Sequence, residues 1–85
     1  MTVSVKLYAL STCSHCKTAK KLLEDCGCVI DAIDVDLLEK ESRKVVLEDL
    51  KSVNPKRSFP TIVIGEKVVV GYREKDIIDA VDNAR

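Results

Sequence analysis

The sequence predicts an α/β domain, a four-stranded mixed sheet with three helices on its faces, and three observations carry that expectation. Apolar residues switch between strand-like runs and three-and-four spacing in the order β-α-β-α-β-β-α. The opening strand–helix–strand unit closes through a right-handed crossover, which sets its two strands parallel. The last two strands lie two residues apart, the spacing of an antiparallel hairpin that extends the same sheet. With 85 residues and 46% hydrophobic content the chain can bury one such core but not two, so residues 1–85 are read as one domain.

Val3, Val5, Leu7 and Tyr8 to Leu10 form a β-branched and aromatic run, a largely buried first strand that ends at Ser11-Thr12. From Cys13 the period changes. Cys16, Ala19, Leu22, Leu23 and Cys26 recur at helical spacing among Lys17, Lys20, Lys21, Glu24 and Asp25, until Gly27 supplies a C-terminal stop. Val29 to Val35 alternates in parity and is β-branched, which favours a second strand. A second helix runs from about Glu39 to Ser52, with Val46, Leu47, Leu50 and Val53 on one face, and Asn54-Pro55 ends it. Thr61 to Ile64 and Lys67 to Val70 are the hairpin strands around Gly65-Glu66. The last helix starts near Glu74, with Ile77, Ile78, Val81 and Ala84 on its apolar face and Asp76, Asp79 and Asp82 toward solvent.

Composition removes several classes of function. Lys and Arg number 14 and Asp and Glu number 14, so the chain lacks the basic excess of a general polyanion binder, and nucleic acid is not expected as a partner. No segment approaches the roughly 18 apolar residues of a membrane span. Met1 to Leu10 holds Lys6 inside a short apolar run and lacks the core of a signal peptide. A cytoplasmic location is therefore expected, where thiols serve metal binding or redox chemistry more often than stapling. Four cysteines, about 5% of the chain, also fall well short of a secreted disulfide scaffold.

Cys13-Ser14-His15-Cys16 sits where a strand hands over to a helix. Unpaired backbone N–H groups and the positive end of the helix dipole there favour thiolate at Cys13, and Lys17 and His15 can add charge. Cys16 lies one turn on. Pointing inward with Ala19 and Leu23, it keeps a higher pKa and suits the resolving rather than the attacking role. A C-x-x-C pair is equally half of a zinc site, and Cys26-Gly27-Cys28 is the obvious other half. About 15 Å of helix separates Cys16 from Cys26, however, whereas four sulfurs on one zinc lie within about 4 Å of one another. The pair at a strand-to-helix junction thus favours redox chemistry with no metal. Cys26 then reads as a core residue and Cys28 as a space-filler, or the two as peripheral thiols open to oxidation.

Tyr8, the run from Cys13 to Lys20 (CSHCKTAK), the run from Arg57 to Gly65 (RSFPTIVIG) and Val70-Gly71-Tyr72-Arg73 resemble the glutaredoxins of the thioredoxin superfamily over essentially the whole chain. The resemblance implies a thioredoxin fold and a thiol-disulfide oxidoreductase. Cys13 would attack a protein disulfide or a glutathionylated protein, and Cys16 would resolve the mixed disulfide. Phe59-Pro60 is similar to the family's cis-proline dipeptide, which lets a bound peptide or glutathione pair with Phe59 like an added strand. Ser14, His15, Lys17, Gly71, Tyr72 and Arg73 complete the expected substrate-contacting set with Arg57, the best placed to hold an acidic group. Lys17, Lys56, Arg57 and Arg73 are expected around Cys13.

The chain also departs from many glutathione-using members. Ser14-His15 replaces Pro-Tyr, Leu10 stands where a Lys is common, and Val70-Gly71-Tyr72-Arg73 replaces Gly-Gly followed by acidic residues. The tail looks more like the glutaredoxin-like redoxins that reduce ribonucleotide reductase and draw on thioredoxin reductase. Reductants consistent with the resemblance are therefore glutathione, as a co-substrate, or thioredoxin reductase, with no tightly bound cofactor and a monomeric chain. The resemblance leaves two binding-protein readings, a glutathione-assisted iron-sulfur cluster carrier, which Ser14 permits, and a structural zinc module.

Overall fold

The computed structural model describes residues 3–84. Its order is β1 (Ser4–Ala9), α1 (Ser14–Asp25), β2 (Val29–Asp34), a 3-10 turn at Val35–Leu37, α2 (Lys40–Val53), β3 (Thr61–Ile64), β4 (Lys67–Val70) and α3 (Glu74–Ala84). The sheet runs β2-β1-β3-β4, with β1 parallel to β2 and antiparallel to β3, and β3 antiparallel to β4. This is the mixed four-stranded sheet with three helices that the sequence predicts. The 3-10 turn was not foreseen; it continues β2 into the approach to α2 and buries Val35.

Alternation along β1 divides the side chains between two layers. Val3, Val5, Leu7 and Ala9 join Ala19 and Leu23 of α1, Ile62 and Ile64 of β3, and Ile77, Ala80 and Val81 of α3 in one buried cluster. Lys6 and Tyr8 take the opposite parity, where the Tyr8 hydroxyl raises the Lys6 pKa most and Asp49 of α2 adds to the effect. Leu50 of α2, Tyr8 and Thr61 are also fully or nearly fully buried. Burying a leucine or isoleucine completely contributes about 1.5–3 kcal/mol, so Leu7, Leu23, Leu50, Ile62, Ile64 and Ile77 hold the layers together.

One detail of the sequence reading is corrected. On α3 the apolar stripe closes one turn early: Ala80 is buried and Ala84 is exposed. Ala84 is the last residue of α3, with no later turn of the helix to hold it against the sheet. The alternating run does form the expected second strand, although neither parity of it is buried. Ile30 and Ile33, of opposite parity, are each half-buried and Val29 is 59% exposed, as befits an edge strand. No helix among the described residues is long and apolar enough to cross a membrane.

Candidate active site

Cys13 is the N-cap of α1, in an extended conformation with φ −84° and ψ 115°. Its N–H donates to the Leu10 carbonyl at 3.1 Å, which folds the β1–α1 loop back on itself. Its sulfur takes the place of the usual capping oxygen and accepts the Cys16 N–H at 3.3 Å. A helix start leaves donors unpaired, and here they meet a thiol. At the other end Gly27, at φ +78°, donates to the Glu24 carbonyl and Cys28 donates to Leu23, a Schellman closure that explains why the helix stops there.

The two thiols titrate in opposite directions. Hydrogen bonding from the Cys16 side chain lowers the Cys13 pKa most, against a smaller opposing effect of partial burial, and the backbone N–H groups of Cys16 and His15 lower it further. Cys16 is 2% exposed, and burial, followed by its hydrogen bond to Cys13, pushes it up to about 12. It points inward with buried Ala19 and Leu23. A hollow of about 190 Å³ opens beside Cys16, lined by Leu10, Ser11, Lys17, Lys20 and Asp34 among others.

The loop from α2 to β3 carries further candidate residues. Phe59-Pro60 is cis. The Pro60 carbonyl accepts the Gly71 N–H at 2.8 Å, with Gly71 at φ +83°, so the turn after β4 is tied to the proline. Cys13, Phe59 and Tyr72 are all half-buried and pack against the main core cluster. Underneath, Asn54, 4% exposed, donates through Nδ2 to Ser58 Oγ at 3.1 Å and Thr61 Oγ1 at 3.0 Å, and its Oδ1 accepts the Lys56 N–H. Thr61 Oγ1 in turn donates to the Ser58 carbonyl at 2.7 Å. Reading the chain locally missed this brace, because Asn54-Pro55 serves equally as a helix stop and Thr61 as a strand start. A polar residue directly before the helix-breaking proline and a threonine directly after the second proline were the available signal.

A further brace was also missed. Asp36 accepts the Ser11 N–H at 2.8 Å and the Ser11 hydroxyl at 2.5 Å, tying the loop that leads to Cys13 to the 3-10 turn. These donors lower the Asp36 pKa, the hydroxyl most. A carboxyl depressed in the folded state contributes stability that is present above its unfolded pKa and lost as pH falls through the folded value. Asp36→Asn is therefore expected to lower the urea midpoint at pH 7, with the gap to wild type closing as pH falls below about 4. A gap independent of pH would show that the ionised Asp36 is not what Ser11 requires.

The other candidate residues distribute around this centre. Ser14 and His15 open α1 and are exposed. Lys17 lines the hollow beside Cys16. Arg57 stands at φ 51°, a left-handed conformation costing roughly 1–2 kcal/mol for a residue with a side chain, and it lines a groove along α2. Arg73 pairs with Asp76 at 3.8 Å on the exposed surface and lines a groove between β4 and α3. The three cations thus line three different depressions. Cys13 and Cys26 cap opposite ends of α1, about 20 Å apart by the helical rise, so the two cysteine pairs cannot meet at one zinc. Cys26 and Cys28 are half-buried against the core.

Comparison with known proteins agrees with this geometry. The Glutaredoxin family model matches residues 5–69. Methanoredoxin of Methanosarcina acetivorans is 42% identical, with a TM-score of 0.86 over 92% of this chain and 83% of that one. A glutaredoxin from Archaeoglobus fulgidus is 38% identical, with a TM-score of 0.87 over 93% of this chain and 86% of that one. The NrdH-redoxin of Escherichia coli, 22% identical, shares the fold with a TM-score of 0.72 over 89% of this chain and 92% of that one. The family match, which takes in both the thiol-capped start of α1 and the Phe59-Pro60 loop, establishes that the chain belongs to the glutaredoxin family, within the thioredoxin superfamily.

Proposed function

We propose that this protein reduces protein disulfides, or mixed disulfides with glutathione, through a Cys13–Cys16 dithiol-disulfide cycle. The observation that carries the reading is the placement of two thiols three residues apart, Cys13 capping α1 and accepting the Cys16 N–H at 3.3 Å, Cys16 2% exposed one turn on, an arrangement that shifts Cys13 toward thiolate and holds Cys16 as thiol. The Cys13 thiolate attacks one sulfur of the substrate disulfide, forming a mixed disulfide and expelling the first substrate thiolate, which takes a proton. Cys16 then loses its proton and attacks the Cys13 sulfur, expelling the second thiolate. The substrate gains two electrons and two protons, and the protein is left with a Cys13–Cys16 disulfide.

The substrate chain runs beside Phe59-Pro60, whose neighbouring backbone can take it as an added strand, while Gly71 and Tyr72 flank the same dipeptide. Ser14, His15 and Lys17 border the attacking sulfur on α1, and Arg57 and Arg73 offer cations to acidic groups further out. The protein works in this reading as a cytoplasmic monomer without a resident cofactor.

Electrons return from glutathione or from a thioredoxin reductase. Leu10 in place of a lysine and Tyr72-Arg73 in place of acidic residues support the reductase. The test supplies oxidised protein separately with glutathione, or with thioredoxin reductase and NADPH, and titrates free Cys13. Regeneration by the reductase is expected to be the faster. Regeneration by glutathione alone would reverse the donor, and a protein that reduces neither insulin nor a glutathione mixed disulfide would end the reading.

A further inference from the structure

One groove outside the catalytic centre has a charge that the rest of the chain does not. About 540 Å³ in volume, it follows the outer face of α2 and receives Lys40, Arg43, Lys44 and Arg57, with Leu47 half-buried among them. Glu41 and Glu48 also line it, so four cations stand against two carboxylates in a chain of zero net charge. None of the four cations is ion-paired among the described residues.

Apart from Arg43, whose guanidinium holds two carbonyls of the turn before α2, the charges and the strained backbone here cost the fold rather than serve it. Lys40 and Lys44 are four apart on one helix, a repulsive spacing, and with Arg43 they crowd the end of α2 where the dipole disfavours cations. Arg57 holds a left-handed backbone that asparagine or glycine would occupy with less strain. Strain and repulsion gathered in one depression point to a ligand that relieves them. Arg43 is already oriented, since its Nη2 donates to the Leu38 carbonyl at 2.9 Å and to the Asp36 carbonyl at 3.3 Å.

Both sides of the groove lead to the cysteine pair. Asp36, whose carbonyl holds Arg43, also holds Ser11, two residues before Cys13. Arg57 lies two residues before Phe59, the residue beside which a substrate chain would run. A polypeptide bound along Phe59 can therefore continue into the groove without crossing the core.

We propose that this groove docks an acidic segment of the substrate protein, its carboxylates on Lys40, Lys44, Arg43 and Arg57 and an apolar side chain on Leu47. The inference rests on the oxidoreductase reading for its role and on the groove alone for its chemistry. Long-range attraction of this kind speeds encounter and fades with salt. It selects disulfides by what flanks them.

The test begins with binding, independent of redox chemistry. A fluorescein-labelled, cysteine-free peptide of glutamates around two leucines is titrated with reduced wild type and with Lys40→Glu/Lys44→Glu, and with Lys40→Gln/Lys44→Gln as a milder variant should the first fail to fold. Binding at low salt is expected, roughly tenfold weaker in either variant and weaker in wild type as salt rises. The same peptide joined by a disulfide to a chromogenic thiol is expected to be reduced with a kcat/KM about tenfold above that of a neutral peptide, an advantage the variants lose while the neutral rate stays put. Absence of binding, or equal binding by wild type and variants, would overturn the proposal. So would tight Lys40- and Lys44-dependent binding of single-stranded RNA with none of the peptide. Peptide binding with the expected dependence but no reduction of any disulfide would support the docking surface and remove the oxidoreductase reading.

Discussion

Cys13→Ser is expected to abolish turnover, by a thousandfold or more in an insulin or mixed-disulfide assay, the order of loss that follows removal of a nucleophile. The size of the effect follows from where Cys13 sits. Three donors from the first turn of α1 act on its sulfur, and each stabilises thiolate over thiol. A serine hydroxyl in the same position accepts the Cys16 N–H just as well and so leaves the helix cap, and hence the fold, intact. Stability and activity should therefore separate. The urea midpoint of Cys13→Ser is expected to match wild type within experimental scatter, while the rate falls to background. The wild-type rate should also rise with pH through a midpoint below that of an ordinary cysteine near 8.5, because the attacking form is the thiolate and its pKa is lowered. A fully active Cys13→Ser protein would sink the assignment, and a midpoint at or above 8.5 would show that the N-cap position does not activate the thiol.

What the sequence discloses and what it withholds divide along a physical line. The cap at Cys13, the inward Cys16, the stop at Gly27 and the hairpin at Gly65-Glu66 all depend on residues within a turn or two of one another, and periodicity reads such features well. The cis proline was legible for a different reason, because Phe59-Pro60-Thr61 beside a C-x-x-C matched a family pattern. The Ser11–Asp36 bridge spans 25 residues and depends on β2 lying parallel beside β1, which no local pattern encodes. Asn54 was visible only as a breaker, although its amide holds both ends of the loop that presents the proline. The four cations expected around Cys13, namely Lys17, Lys56, Arg57 and Arg73, were placed by fold alone, whereas where a side chain goes follows backbone details such as the positive φ of Arg57.

Cys16→Ser is the second decisive substitution, and its expected result is a trapped intermediate. With Cys13 as thiolate, Cys16 is held up at about 12, so only about one molecule in 100,000 carries a Cys16 thiolate at pH 7. Such a thiol cannot compete for the first attack. Once Cys13 is joined to substrate, its sulfur no longer carries charge, and two of the causes that raise Cys16, the hydrogen bond to Cys13 and the repulsion from it, are gone. The first bond formed thus prepares the second thiol to ionise, and burial, with the smaller repulsion from Asp34, remains to be overcome. Serine at position 16 keeps a side-chain donor for the Cys13 sulfur, so the first step survives, while the second is eliminated. In Cys16→Ser the substrate–Cys13 adduct should accumulate to nearly one per chain by intact mass, and reduction of insulin should fall at least a hundredfold. Exchange of a glutathione mixed disulfide with free glutathione, which needs only Cys13, is expected to persist. Insulin reduction at the wild-type rate, with no adduct detected, would mean that an external thiol resolves the intermediate and that the buried partner at position 16 has no part in turnover.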